Sequence, residues 1–352
     1  MKDKQIMTAS RIRRVHLELT EKCNARCPLC LRTNPDGLSA QPYIQANELS
    51  LGDIRRFFPE RIKNRLASVH LCGNYGDPIM ASQCGEIADY LSSPGCAVSL
   101  STNGGVRSIR WWADLGKTLK RNPDSRVDFH IDGLADTNAY YRRGTRFDRI
   151  VENAVSFIEA GGRANWEFIP FWHNQHQIEA AREMSKELGF ERFTVKKSNR
   201  LFSEKKPAIP FTDRAGKPCV LEAPTIDYKP DLAQNRMPVS SRSEQNQEIT
   251  CLSLEKKEIY ISCEAILYPC CWTARFARNI YLGRTTRDGF SPLFYEFDGN
   301  TVFDLRQTDL ETALKSDFFH RLNALWKAYQ PAICYRKCGK KDQPAKVKLV
   351  NS

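Results

Sequence analysis

Cys23, Cys27 and Cys30 sit within the run TEKCNARCPLCLRT, directly after the alternating apolar residues Val15, Leu17 and Leu19. A thiolate is a soft metal ligand, so three of them on one short loop point first to a metal. A structural zinc wants four ligands, usually as two close pairs, and no fourth Cys or His stands nearby in sequence. The three thiols suit better a cubane iron–sulfur cluster in which three irons are protein-bound and one is left open.

Composition narrows the setting for such chemistry. The chain has 352 residues and 41% hydrophobic content, ample for one large or two smaller globular domains. Its N-terminus, MKDKQIMTASRIRR, is charged where a secretory signal would be apolar, and no long apolar run follows. A cytoplasmic location without membrane attachment is therefore expected. In a reducing compartment the 13 cysteines argue against a disulfide framework and for metal binding or catalysis. The formal charge of +12 fits an anionic partner, whether nucleic acid, phosphorylated substrate or acidic electron carrier, or a plain solvated surface.

The elements that must position the thiols come from periodicity. Strand-like alternation marks 14–19, 67–72, 97–101, 127–131, 166–171 and 192–196. Helical spacing marks about 50–58, 81–92, 107–120, 147–160 and 175–188, with Ser50 as an N-cap and Gly161 and Gly189 as stops. Strand alternating with helix predicts an α/β fold of parallel units, an open or partial (β/α)6 TIM-type barrel over residues 1–202. In that architecture chemistry sits at the carboxyl ends of the strands, where the cysteine loop falls. From 203 to 249 the pattern dissolves into a linker or surface excursion. A smaller cysteine-rich module is expected over 250–341, with the β-like stretch EIYISCEAILYPCCW and an amphipathic helix at about 310–329. A basic tail, 342–352, ends the chain. Cys72, Cys84 and Cys96 read as small buried hydrophobes, and Trp111 and Trp112 as packing residues on a helix.

With these elements in place, CxxxCxxC after the first strand resembles the signature of the radical S-adenosylmethionine enzymes. The resemblance spans most of 13–200. It implies that Cys23, Cys27 and Cys30 ligate a [4Fe-4S] cluster whose open iron is chelated by S-adenosyl-L-methionine. Leu29 stands where the family usually has an aromatic residue. In GNYGDP, the run Tyr75, Gly76, Asp77 and Pro78 resembles the motif that meets the cofactor's ammonium group. Ser101, Thr102 and Asn103 resemble its cofactor-facing segment, and His130 stands where many relatives carry a ribose-contacting serine, with Asp132 after it. Arg142 or Arg143 resembles an arginine that pairs with the cofactor's carboxylate, a task suited to guanidinium.

The C-terminal cysteines resemble the twitch (SPASM-like) extension that holds an auxiliary [4Fe-4S] cluster, implying Cys251, Cys270, Cys334 and Cys338 as its ligands. Cys271 is an alternative to Cys270, Cys219 and Cys263 carry no assignment, and Ala265 stands where that motif commonly has glycine. A structural zinc on the same four thiols is the plainer alternative.

The family's chemistry implies an external reductant such as flavodoxin or ferredoxin, reductive cleavage of the cofactor, and hydrogen abstraction from an unactivated C–H bond. WEFIPFWHNQHQ places His173 and Asn174 beside His176 and Gln177 at the end of the fifth strand, either against the cofactor or substrate or as polar caps of a helix. Lys196 and Lys197 end the sixth strand, toward an anionic substrate or toward water. The expected substrate is a nucleic-acid or nucleotide group, such as a modified base in phage-type DNA hypermodification. A peptide or protein maturase is the alternative, although only about a dozen residues precede the first strand, where a leader-binding module is expected. An aminoglycoside-like or cofactor precursor ranks third, and a zinc-stabilised nucleic-acid-binding protein is the alternative of another class. Oligomeric state is not legible.

Overall fold

Apolar residues at every second position give each early strand one face to bury. Val15 and Leu17, Val69 and Leu71, Val98 and Leu100, and Val127 and Phe129 all enter one core, together with helix residues such as Ile54, Ile87, Trp112 and Phe157. The computed structural model describes residues 7–196, 207–226, 251–281 and 301–320, with Cys334, Lys337 and Cys338.

Numbered in chain order, the strands of the first part are β1 (Arg14–Leu17), β2 (Ser68–Leu71), β3 (Ala97–Thr102), β4 (Arg126–His130), β5 (Ala164–Phe168) and β6 (Arg192–Val195). All six neighbour one another in sequence order and pair in parallel. The helices between them are α1 (Leu51–Phe57), α2 (Glu60–Lys63), α3 (Cys84–Leu91), α4 (Ile109–Leu119), α5 (Asn138–Tyr141), α6 (Phe147–Glu159) and α7 (Ile178–Glu187). The expected α/β partial barrel is the observed architecture.

Local chemistry accounts for several boundaries. Ser50 accepts the Asp53 N–H at 3.1 Å while the Asp53 carboxylate accepts the Ser50 N–H at 3.0 Å, a reciprocal cap that starts α1. α6 ends before Gly161, whose φ of +94° suits a residue without a Cβ. Trp112 is fully buried, and Trp111 packs at the rim of the core.

Four expectations need correction. The fifth strand lies at 164–168 rather than 166–171, because Trp166 and Phe168 face the core while the chain after Phe168 already turns toward the site. The stretch 203–249 contains an antiparallel hairpin, β7 (Ala208–Thr212) with β8 (Pro218–Glu222), folded back against the cysteine loop, where the Gly37 N–H donates to Thr212 O at 3.0 Å. Its prolines hid the strand pattern. In the C-terminal part, β9 (Glu258–Ile261) adds in parallel to β1 and β10 (Leu267–Tyr268) pairs antiparallel to β9, so among the described residues the sheet has eight strands in the order β10-β9-β1-β2-β3-β4-β5-β6. The expected helix at 310–329 covers Leu310–Leu314, turns at Lys315 and Ser316, and resumes at 317–320; the remainder and the tail lie outside the described residues. Ala265 has a φ of +71°, which explains why the position suits glycine.

The face of the sheet turned away from the helices is polar. His16, His70, Ser99, Asp128, His130, Asn165, Glu167 and Tyr260 alternate with the core residues.

Candidate active site

β1 runs out into a loop whose first residues are buried acids. Glu18 accepts the Tyr75 N–H at 2.8 Å and the Tyr260 hydroxyl at 2.5 Å. Burial raises its pKa to about 7 against the pull of these donors. Glu21 accepts the N–H groups of Gln45 and Asn47 at 3.0 and 3.1 Å and pairs with Arg278 of α9 (Cys271–Tyr281), the helix that follows α8 (Leu252–Lys256) in the chain. These contacts pin the N-terminal approach to the segment that carries the cysteines.

Cys27 is buried, while Cys23 and Cys30 are half-buried. Burial pushes the Cys23 thiol up, with Asp77, Cys27 and Cys30 adding to the effect; burial likewise pushes Cys27 up to about 12 despite Arg142. The three pack in one apolar cluster, and the Cys30 N–H donates to Cys27 O at 3.0 Å. The donor set is three cysteine thiols on one loop, the ligand type that iron–sulfur clusters take. Ala25, Leu38, Tyr141, Phe171, Phe211 and Leu221 surround it with apolar surface.

The loop after β2 closes over the cysteine loop. A Cβ on Gly76 would lie 1.8 Å from the Thr20 carbonyl oxygen, so no larger residue fits there. The Asp77 N–H donates to Lys22 O at 2.9 Å. Asp77 itself is buried, and its Oδ2 accepts both the backbone N–H (2.8 Å) and the side-chain amide (2.6 Å) of Asn103. Burial raises the Asp77 pKa. The Asn103 amide also reaches Asn24 Oδ1 at 2.9 Å and approaches the Cys23 sulfur at 3.8 Å. Thr102 is buried, its hydroxyl accepting the Gly104 N–H at 3.0 Å, and Ser101 lies beside Cys72.

Opposite, Asp132 is fully buried and accepts Arg142 Nε and the Ile169 N–H, both at 2.6 Å. Arg142 Nη1 lies 4.0 Å from Cys27 Sγ. Burial opposes its charge, but Asp132 and Cys27 hold the guanidinium protonated above its ordinary value. Arg143 points elsewhere. It stacks on Tyr140 and Phe211, lies 3.8 Å from Asp213 and approaches the Cys219 sulfur at 3.5 Å, tying the hairpin to the site. Cys219 thus belongs to the apolar surround of the cysteine loop.

His130 Nδ1 lies 3.3 Å from Glu167 Oε2, and Glu167 also pairs with Lys196. Burial, helped by Lys196 and Arg142, keeps His130 neutral. Lys196 therefore has a carboxylate partner in the fold, and Lys197 lies outside the described residues. Asn174 is fully buried with its amide on Asp132 O (3.0 Å) and Ile169 O (3.1 Å) and its oxygen on the Phe171 N–H, so its polar atoms hold the loop. Gln177 does similar work, accepting the Leu134 N–H at 2.9 Å. His173 stacks on Phe171, its rings 5.3 Å apart, and its Nε2 is buried with no hydrogen-bond partner.

In the C-terminal part, the side chains of Cys251 and Cys338 are hydrogen-bonded, which raises the first thiol and lowers the second, while Cys270 adds to the rise of Cys251 and Cys338 to that of Cys270. Cys334 is buried in the main core. Cys271 instead influences Tyr260, and Asn74 donates to both the Cys271 carbonyl (3.2 Å) and the Tyr260 hydroxyl (3.3 Å). Cys263 lies against Glu264 at 3.5 Å.

Glu18, Glu167, Asn24 and Tyr260 were not singled out from the sequence. The first two fall on the strand phase opposite the apolar residues, the phase that the fold turns to the polar face of the sheet. Cys72 needs correction: its sulfur lies with His16 and His70 on the polar face, whereas Cys84 and Cys96 are core residues as expected.

Known proteins resemble this chain in sequence and in fold. The sequence model of the radical SAM superfamily matches residues 17–184. A curated relative, GTP 3',8-cyclase of Desulforamulus reducens, is 24% identical over 148 residues, which is 41% of this chain and 42% of the relative, so the match spans less than half of that protein. Among solved structures, SuiB of Streptococcus suis is similar with a TM-score of 0.53 at 14% identity, covering 89% of this chain and 68% of SuiB. The enzyme anSMEcpe with bound AdoMet has a TM-score of 0.51 at 13% identity, covering 94% of this chain and 91% of that one. At such identity the structural likeness is one of fold.

Proposed function

We propose, on the premise that this chain carries a radical SAM domain, that it is an enzyme binding a four-iron cluster at Cys23, Cys27 and Cys30 and reductively cleaving S-adenosylmethionine. The carrying observation is the set of three thiols at the carboxyl end of β1, between the Asp77–Asn103 contact and the buried Asp132–Arg142 pair. A cluster with one open iron held there would supply one-electron reduction of the sulfonium, chemistry that releases methionine and a 5'-deoxyadenosyl group able to abstract hydrogen.

The chain's own residues have definable tasks in this reading. The three cysteines hold iron, and Arg142 offsets the negative charge their deprotonation creates. Asp132 orients Arg142. Gly76 lets the two loops meet, which exposes the backbone of Tyr75 and Gly76 to the cofactor's ammonium group beside Asp77 and Asn103. Neutral His130, at the end of β4 beside Ser101, Thr102 and Asn103 of the neighbouring strand end, donates or accepts one hydrogen bond to a sugar hydroxyl. Tyr141, Phe171, Phe211 and Leu221 keep water from the thiols. Arg143, His173 and Asn174 support these groups from behind through the hairpin and the β5 loop. Cys251, Cys270, Cys334 and Cys338 hold an auxiliary cluster, and an acidic flavodoxin- or ferredoxin-type protein delivers the electrons. Among the described residues no helix is long and apolar enough to cross a membrane.

For the substrate, a nucleotide or nucleic-acid-linked group is favoured by the charge of +12, by the polar face of the sheet and by the likeness to a protein named for acting on GTP. A peptide substrate is the second reading, favoured by the fold shared with SuiB, solved with its precursor peptide SuiA at a TM-score of 0.54.

Anaerobically reconstituted protein, reduced and given S-adenosylmethionine, is expected to release 5'-deoxyadenosine, and Cys23→Ala, Cys27→Ala and Cys30→Ala are each expected to abolish it. Undiminished cleavage by any of the three, or a purified chain holding zinc but neither iron nor sulfide, overturns the reading.

A further inference from the structure

We propose that His16, His70 and Cys72 form a binding site for a divalent transition-metal ion, zinc by preference, on the polar face of the sheet and apart from both cysteine sets. One ligating atom from each residue lies within 4.8 Å of the others. Topology brings them together. His16 and His70 are direct partners in the parallel ladder of β1 and β2, and Cys72 follows His70 by two residues, on the same face.

The histidines are held as metal-binding imidazoles are held. His16 Nε2 is anchored on the Cys72 carbonyl oxygen at 2.7 Å, and His70 Nδ1 on the Ser99 hydroxyl at 2.8 Å. With one nitrogen of each ring fixed by an oxygen, the opposite nitrogen is the one left to ligate, and the ring orientation is already set. The two rings meet at an interplanar angle of 63° with centroids 5.2 Å apart, and the Tyr260 ring closes on His16 from the other side at 4.9 Å. Neither imidazole can turn without breaking a contact.

Two imidazoles and one thiolate are borderline-to-soft donors. They select zinc or a related late transition ion over magnesium or calcium, which demand oxygen. Binding would displace the Cys72 proton to solvent, leaving a thiolate on the ion. Three protein ligands leave one tetrahedral position for water or for a heteroatom of a substrate lying on the polar face. A second cluster of ligating atoms, Glu21, Cys263 and Glu264, is equally tight, but Arg278 already pairs with both of its carboxylates. At the histidine site the cations that act on His70, Arg126 and Lys196, pair instead with Asp128 and Glu167.

The test uses the full chain with its iron loaded first, then dialysed against micromolar zinc chloride, and zinc, iron and sulfide are measured per chain. His16→Gln and His70→Gln are each expected to hold about one zinc fewer than the parent with iron and sulfide unchanged. Zinc bound adventitiously to the other cysteines is common to all the chains and cancels in this difference. Ser99→Ala leaves every ligand in place and is the mild variant, expected to weaken zinc retention about tenfold. Zinc should raise the parent's unfolding temperature and leave that of His16→Gln unchanged. A parent chain that retains no more zinc than His16→Gln and His70→Gln, or a Ser99→Ala chain that retains zinc like the parent, overturns the proposal.

Discussion

Arg142 donates its Nε to the fully buried Asp132 at 2.6 Å while its Nη1 lies 4.0 Å from the sulfur of Cys27, so one guanidinium joins an internal carboxylate to the cysteine loop. Removing the arginine alone would leave a buried charge uncompensated. Arg142→Met is therefore expected to destabilise the protein by about 3–5 kcal/mol, and adding Asp132→Asn to recover most of that loss. Urea unfolding of the four chains of the cycle measures both terms. A double variant no more stable than the single would show that the pair is not coupled.

Glu18 yields a pH dependence of definite sign. Its folded pKa of about 7 lies above its ordinary value of 4.5 because burial disfavours the charged form. Its contribution to stability is fully present below about pH 4.5 and is lost as pH rises through about 7, a swing of roughly 3 kcal/mol. Glu18→Gln should remove that slope, so the stability difference between parent and variant changes between pH 4.5 and pH 8. Parallel curves would place the ionisation elsewhere.

Gly76 and Gly95 make a matched pair of substitutions. Alanine at 76 would set its Cβ 1.8 Å from a backbone oxygen, whereas at 95 it meets nothing within 4 Å. Gly76→Ala should cost about 3 kcal/mol or more and lower iron retention at Cys23, Cys27 and Cys30, and Gly95→Ala should stay within about 0.5 kcal/mol of the parent. Thermal unfolding with iron analysis checks both.

Replacing Cys251, Cys270, Cys334 and Cys338 by alanine should reduce iron by one cluster's share, about four atoms per chain, while the first cluster still cleaves S-adenosylmethionine. A quadruple variant that keeps its iron and loses zinc would assign a structural zinc instead.

Binding of a nucleotide or single-stranded nucleic acid to the cofactor-loaded protein should weaken steeply as salt rises, since phosphate contacts release counterions. No affinity at low salt would favour the peptide substrate.

The parallel strand–helix alternation, the cysteine loop at the end of β1 and the caps at Ser50 and Gly161 were legible because each depends on residues close in sequence: a period of two or 3.6, a side chain bonding three positions on, a glycine at a positive φ. Tertiary structure alone decided which groups face one another. The hairpin over 208–222 was hidden by prolines that suit an edge but break the pattern, and β9 joins β1 across some two hundred and forty residues that no local rule connects. The same distance separates Glu18 from Tyr260, and a ladder register rather than a motif brings His16 to His70. From sequence Asn174 reads as a cofactor- or substrate-facing group or a helix cap and Lys196 as facing an anionic substrate or water, whereas the fold supplies Asp132 O and Glu167 to hold them. Spacing along the chain therefore set which chemistry is available, and long-range pairing, through burial and the partners it imposes, set the charge and orientation of each group.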